Sequence, residues 1–190
     1  TEGAKFANSP FNVQTVKDIH RHIFEDIYDW AGEFRTIPID KVEKRVIPGI
    51  TLHYTEPENI KKELQKVLEH MNGTDWKALS LEDKSMTFAK LLAKLWRIHP
   101  FRDGNTRTTV TFANIFSRSK GFPLDLSYIL PNLTREVDDN GNKIYSFRDK
   151  LLLACFDEED KPEPEVLART IYSSIRSQMR KQQAEREELE

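Results

Sequence analysis

The sequence has one cysteine, no long apolar run and no excess of either charge, and each shortage removes a class of protein. With Cys155 alone, no disulfide can form within the chain. Its place at the end of Leu151-Leu152-Leu153-Ala154-Cys155 marks a buried thiol and not a nucleophile. No apolar stretch reaches the ~18 residues that a membrane-spanning helix needs, so no membrane partner is expected. The opening TEGAKFANSP lacks the charged and apolar regions of a signal peptide, and the expectation is a cytoplasmic protein, with a secreted effector as the alternative. A net charge of −2 gives no electrostatic footprint for nucleic acid. The basic stretch from Arg176 to Arg186 is broken by Gln182-Gln183 and Glu185 and reads as a solvated helix face. Neither a Walker motif nor a Rossmann fingerprint is present. What remains is a globular chain of 190 residues, long enough to bury a substantial core.

Its apolar residues recur mostly at helical spacing. Val16, Ile19, Ile23, Ile27 and Trp30 trace one face of a helix over Val13 to Trp30, ended by Ala31-Gly32. From Gly32 to Tyr54 the period is lost, and Pro48-Gly49 between Arg45-Val46-Ile47 and Ile50-Thr51-Leu52 predicts two short strands around a turn. Pro57 opens a helix with Ile60, Leu64, Val67, Leu68 and Met71 on one face, closed by Asn72-Gly73. Ser80 with Asp83 caps the next, whose Met86, Phe88, Leu91, Leu92, Leu95 and Trp96 cover more than one face and predict a buried, central helix. A further helix is expected over Thr106 to Arg118, stopped by Gly121 and Pro123, then a short apolar piece at Leu124 to Leu130 and a polar turn over Thr134 to Asn142. Ile144 to Phe156 reads as helix, Asp157 to Pro164 as an acidic connector, and Val166 to Glu190 as a last helix with Leu167, Ile171 and Ile175 inward and a polar end in solvent. The fold class predicted is all-α, a helical bundle with a small β-hairpin before its second core helix.

Between the two central helices stands HPFRDGNTRT, His99 to Thr108. Punctuation between helices needs Pro100 and Gly104 but not a histidine, a carboxylate and an arginine beside them. A helix beginning at Gly104-Asn105 offers unpaired N–H groups and partial positive charge to a phosphate. Gly104 permits close backbone approach, Asn105 adds a side-chain donor, and Arg107 adds a forked cation. Asp103 is placed to hold a Mg²⁺ that bridges phosphate oxygens, and His99 to act as a general base on a hydroxyl. Each residue alone has a plainer reading as cap, surface charge or core anchor, and Phe101 is taken as an anchor. Together they describe a phosphate-handling site. The other histidines make no metal pair: His20 and His22 are two apart on a helix, and His53 and His70 have no partner spacing.

This stretch resembles the signature of the Fic (filamentation induced by cAMP) family, H-x-F-x-[D/E]-G-N-G-R-x-x-R, with His99, Phe101, Asp103, Gly104, Asn105 and Arg107 matching in identity and spacing. Residues 20–36, HRHIFEDIYDWAGEFRT, look like that family's first core helix and its exit toward the active-site flap. The resemblance implies a Fic core over residues 1–160, with the flap at about 33–54 and the active loop at 99–107, and an appended helix at 161–190. It implies transfer of AMP from ATP to a Ser, Thr or Tyr hydroxyl of a target protein. His99 is then the base, Asp103 the Mg²⁺ ligand, and Gly104, Asn105, Thr106 and Arg107 the cradle for the phosphates. The flap pairs with an extended segment of the target.

Two positions depart from the pattern. Thr106 stands where the motif has its second glycine, and there it either narrows the anion site or adds a hydroxyl donor to it. Doc-like relatives carry lysine at that position and transfer phosphate. Threonine is neutral, and Gly104 is kept where those relatives have alanine, so AMP transfer is the favoured reading. Kinase-like transfer on the same site and a non-enzymatic interaction module are the alternatives. Val110 replaces the final arginine, and no Ser or Thr has Glu four residues on, so the inhibitory pattern [S/T]-x-x-x-E is missing. The resemblance leaves inhibition to a separate antitoxin protein, to an upstream segment, or to no such control.

Overall fold

A computed structural model describes residues 10–130, 140–141, 144–155 and 162–189. Among them the elements run α1 (Val13–Phe24), β1 (Asp40–Val42), β2 (Thr51–His53), a 3₁₀ turn (Pro57–Asn59) leading into α2 (Ile60–Gly73), α3 (Leu81–Ile98), α4 (Asn105–Ser119), a second 3₁₀ turn (Leu126–Tyr128), α5 (Phe147–Ala154) and α6 (Pro164–Glu187). The class is helical with one two-stranded antiparallel hairpin, as the sequence predicts. No helix among the described residues is long and apolar enough to cross a membrane. Two compact units form, one from the residues up to Asp75 with Leu91–Phe116, the other from Trp76–Lys90 with Ser117–Glu190.

The first unit holds the active loop. Asn12 caps α1 in a reciprocal box with Thr15, and Phe11 just before it places its ring against Phe112 and Phe116 at 5.5 and 5.0 Å. The Asn72 amide bonds the Phe11 main chain at both ends, which joins the start of α1 to the end of α2. Ile60, Leu64, Val67, Leu68 and Met71 are all buried, so the α2 face is the one its spacing predicts. Truncating a ring such as Phe112, wholly enclosed here, costs about 3–5 kcal/mol.

The helix expected to reach Trp30 stops at Phe24. Residues 25–33 instead form successive turns, with Tyr28 N–H bonded to Phe24 C=O and Ala31 N–H to Tyr28 C=O. Tyr28 and Trp30 stack face to face at 4.3 Å, an arrangement that residues two apart cannot reach on a helix. Ile27, placed by its spacing on the inward face, is exposed. The hairpin is also displaced from its expected position. Asp40 pairs with His53, Lys41 with Leu52 and Val42 with Thr51, so the first strand is Asp40–Val42 and not Arg45-Val46-Ile47. The buried Glu43 carboxylate accepts the N–H groups of Arg45 (2.8 Å) and Val46 (2.9 Å), and its own N–H bonds Ile50 C=O. That cap bends the segment just where the β-rich residues suggested a strand.

In the second unit, Trp76, Phe88 and Phe122 pack edge and face at 5.2–5.8 Å. α5 begins at Phe147, later than the expected Ile144, because Ser146 and Asp149 form a capping box. α6 begins at Pro164, the first helical position where proline is tolerated, with Leu167, Ile171 and Ile175 buried as expected. The buried Asp125 carboxylate receives Lys181 Nζ and the hydroxyls of Ser177 and Ser127, and these donors hold it far below the ordinary carboxylate range. Cys155 is buried, as the apolar run requires. The expected polar turn and the acidic connector fall mostly outside the described residues.

Candidate active site

The active loop turns from the end of α3 to the start of α4, and its first residue is the one under strain. Pro100 disfavours the right-handed helical region for His99. His99 takes φ +50°, a left-handed angle uncommon for a residue with a β-carbon. The surroundings enforce it. The His99 N–H bonds Trp96 C=O at 3.1 Å, and its C=O receives Arg35 Nε at 2.8 Å. Tyr54 stacks on the imidazole at 3.8 Å and 15°, and Trp96 meets it edge-on at 5.7 Å.

Arg35 is the centre of this arrangement. Its side chain is buried (1% exposed), and it donates to the carbonyls of Ile37, Thr55, Ile98 and His99, while its own N–H bonds Pro100 C=O. One guanidinium thus ties the two ends of the hairpin segment to the active loop. Burial lowers its pKa, and the Glu56 charge opposes that shift. A guanidinium keeps its proton regardless, because its starting value lies so high.

The rest of the loop is held by His20 and Asn105. His20 Nδ1 accepts the Gly32 N–H at 2.9 Å, so its proton sits on Nε2, which donates to Asp103 C=O at 3.2 Å. Burial lowers its pKa and favours this neutral tautomer. Phe101 stacks on the same ring at 3.8 Å, which makes it the anchor that the sequence suggested. Asn105 uses its amide on the Phe101 main chain, accepting from N–H at 2.9 Å and donating to C=O at 2.8 Å. Its side chain therefore builds the turn. What Asn105 can offer an anion is its backbone N–H at the start of α4, alongside those of Thr106 and Arg107.

Gly104 has φ +74°, and a β-carbon there would lie 2.3 Å from the Phe24 ring. Arg107 places its guanidinium over the Phe24 ring, 4.4 Å from the centroid and 3.7 Å from the Asp103 carboxylate. The Asp103 carboxylate is exposed and accepts the Tyr28 hydroxyl at 2.7 Å. That bond, then the Gly104 N–H and the Arg107 charge, holds its pKa below the usual carboxylate value. Thr106 Oγ1 accepts the Trp96 indole N–H at 2.9 Å.

Residues 10–117 match the family model described as Fic/DOC family. The chain belongs to that family. A probable protein adenylyltransferase, y4lH, of Sinorhizobium fredii is 34% identical over 117 residues, which take in 60% of this chain and 56% of the relative. The protein adenylyltransferase VbhT of Bartonella schoenbuchensis is 29% identical over 126 residues, 65% of this chain and 24% of the relative. The chain thus spans about half of the first relative and about a quarter of the second. Among solved structures, BepC of Bartonella tribocorum with bound AMPPNP has a TM-score of 0.64 at 20% identity, covering 91% of this chain and 80% of that one. The N-terminal Fic domain of a Bep effector from Bartonella quintana with bound ADP has a TM-score of 0.65 at 20% identity, covering 91% and 78%. At such identity the likeness is one of fold.

Within this Fic domain, the candidate residues from His99 to Arg107 sit on a single turn with an ionised carboxylate at the open end of α4. Val110, where the Fic signature ends in arginine, is buried. Asp103 suits Mg²⁺: it is exposed and charged, and Mg²⁺ is commonly held by one or two carboxylates plus substrate phosphates. No group of three His, Cys, Asp or Glu among the described residues could hold a metal unaided. Sequence reasoning missed Arg35, Tyr54, Trp96, Tyr28 and the structural role of His20. Arg35, Tyr28 and His20 lie in the stretch that resembled the Fic first helix, which gave a place to look but no role.

Proposed function

We propose that this Fic domain is a protein adenylyltransferase that moves AMP from ATP to a Ser, Thr or Tyr hydroxyl of a target protein. The observation that carries the reading is the turn itself: a rigidly held histidine and an ionised aspartate beside the open N-terminus of α4 and the Arg107 guanidinium. The adenylyltransferase names of two relatives support the same reading.

In this proposal the phosphates of ATP lie against the backbone N–H groups of Asn105, Thr106 and Arg107, with Arg107 supplying a forked cation. Gly104 gives the turn its angle. Asp103 would hold the Mg²⁺ that accompanies the nucleotide and offsets charge on its phosphates. His99 takes the proton of the target hydroxyl as the oxygen bonds the α-phosphorus. The bond from that phosphorus to the bridging oxygen breaks, and pyrophosphate leaves. The target chain would lie along the hairpin edge, and inhibition by a separate antitoxin protein is compatible with the missing glutamate pattern. Thr106 keeps a second reading in view, transfer of the γ-phosphate.

Incubation of the protein with a bacterial lysate and ATP labelled at either the α- or the γ-phosphate tests the proposal. Label from the α-phosphate is expected on protein, lost in His99→Ala while ATP binding by calorimetry is kept. Label from the γ-phosphate alone would replace AMP transfer with phosphate transfer.

A further inference from the structure

The hydroxyl at position 106 has a partner on the opposite side of the loop. Trp96 lies in the last turn of α3, 1% exposed, and a buried indole N–H needs an acceptor. Thr106, in the first turn of α4, supplies it at 2.9 Å. A glycine, which the Fic signature has here, could not. The bond therefore staples the two helix ends that bracket His99, and it fixes the rotation of the ring that walls His99 on one side. Tyr54, last residue before the Thr55 carbonyl held by Arg35, covers the imidazole face and also meets Trp96 edge-on at 6.0 Å. Three rings thus pack on one another, and Thr106 orients one of them.

We infer that Thr106 is a positioning residue for His99, acting through Trp96, and is not a ligand of the nucleotide through its side chain. The inference rests on the proposed adenylyl transfer for its effect on rate, but not for its effect on the ring. An imidazole has two nitrogens on opposite sides, and a base must present one of them to the incoming hydroxyl. Small errors in such placement reduce rate steeply. Without the hydroxyl, the indole loses its bond to the first turn of α4, the rotation of Trp96 is no longer fixed from that side, and the wall beside His99 shifts.

Two variants separate the possibilities. Thr106→Val keeps the shape and removes the hydroxyl, and Thr106→Ser keeps the hydroxyl. The ring resonances of His99 and the indole resonance of Trp96 are read by NMR on the full chain, with thermal melts to confirm folding. Initial rates of α-phosphate label transfer to lysate protein are read across a range of ATP concentrations. Thr106→Val should move or broaden the His99 ring signals and the Trp96 indole signal, and lower the rate at saturating ATP about tenfold with the apparent KM within twofold. Thr106→Ser should behave like the parent. His99 signals that coincide in parent and Thr106→Val would overturn the inference, and so would a raised KM with the maximal rate kept, which would make Thr106 a nucleotide contact. If the parent itself transfers no label, the proposed function fails, and the His99 signals alone decide the role of Thr106.

Discussion

Two residues of the active loop take left-handed backbone angles, and only one of them is glycine. At Gly104 the angle and the Phe24 ring both exclude a side chain. Gly104→Ala should lower stability by about 2–4 kcal/mol, read from urea unfolding, because it adds backbone strain to an overpacked contact. At His99 the same region of backbone space is occupied by a residue with no such freedom, held by Arg35 and by ring packing. His20 makes a prediction about pH. Its folded pKa lies below the ordinary 6.5, so the folded chain resists a proton that the unfolded chain accepts. Its contribution is complete above about pH 6.5 and is lost as pH falls from there toward the lowered folded value, by at most about 1.4 kcal/mol per unit. The urea midpoint should therefore drop between pH 7.5 and 5.5, and drop less in His20→Asn.

Among the elements, the hairpin depends on a clamp made of main-chain acceptors. Arg35 joins Ile37 and Thr55, which flank the strands, to Ile98, His99 and Pro100 of the loop. Lysine carries three donors on a single point and cannot reach four carbonyls spread around a plane. Arg35→Lys should cost about 3 kcal/mol in unfolding and reduce label transfer, whereas an exposed control such as Arg118→Lys should do neither. Regular helices were legible because burial repeats with the helical period, and α2 follows its spacing residue by residue. The end of α1 was not, because a stack between Tyr28 and Trp30 and a bond from Tyr28 to Asp103 override a period that continues past it. The hairpin strands were misplaced for a related reason. Arg45-Val46-Ile47 has the composition of a strand, but the Glu43 carboxylate occupies the N–H groups of Arg45 and Val46 that a ladder would use.

At the scale of the whole chain, the active loop was legible and its support was not. The Fic signature is contiguous, so its residues announce themselves. Arg35, Tyr54 and Trp96 are distant in sequence, and their partners are carbonyls and rings that any residue order can supply. The near balance of charge makes a prediction here: with a net charge of −2, the protein should show no binding to duplex DNA at 0.15 M salt by fluorescence anisotropy. The packing of Trp96 against His99 has an optical consequence. The chain has three tryptophans, and Trp96 packs edge-on against the proposed base. A protonated imidazole quenches a neighbouring indole by accepting its excited electron. With Trp30 and Trp76 replaced by phenylalanine, the emission of the remaining tryptophan should fall when His99 takes up a proton and recover when it gives it back, an optical reporter of the proton that the proposed transfer would move.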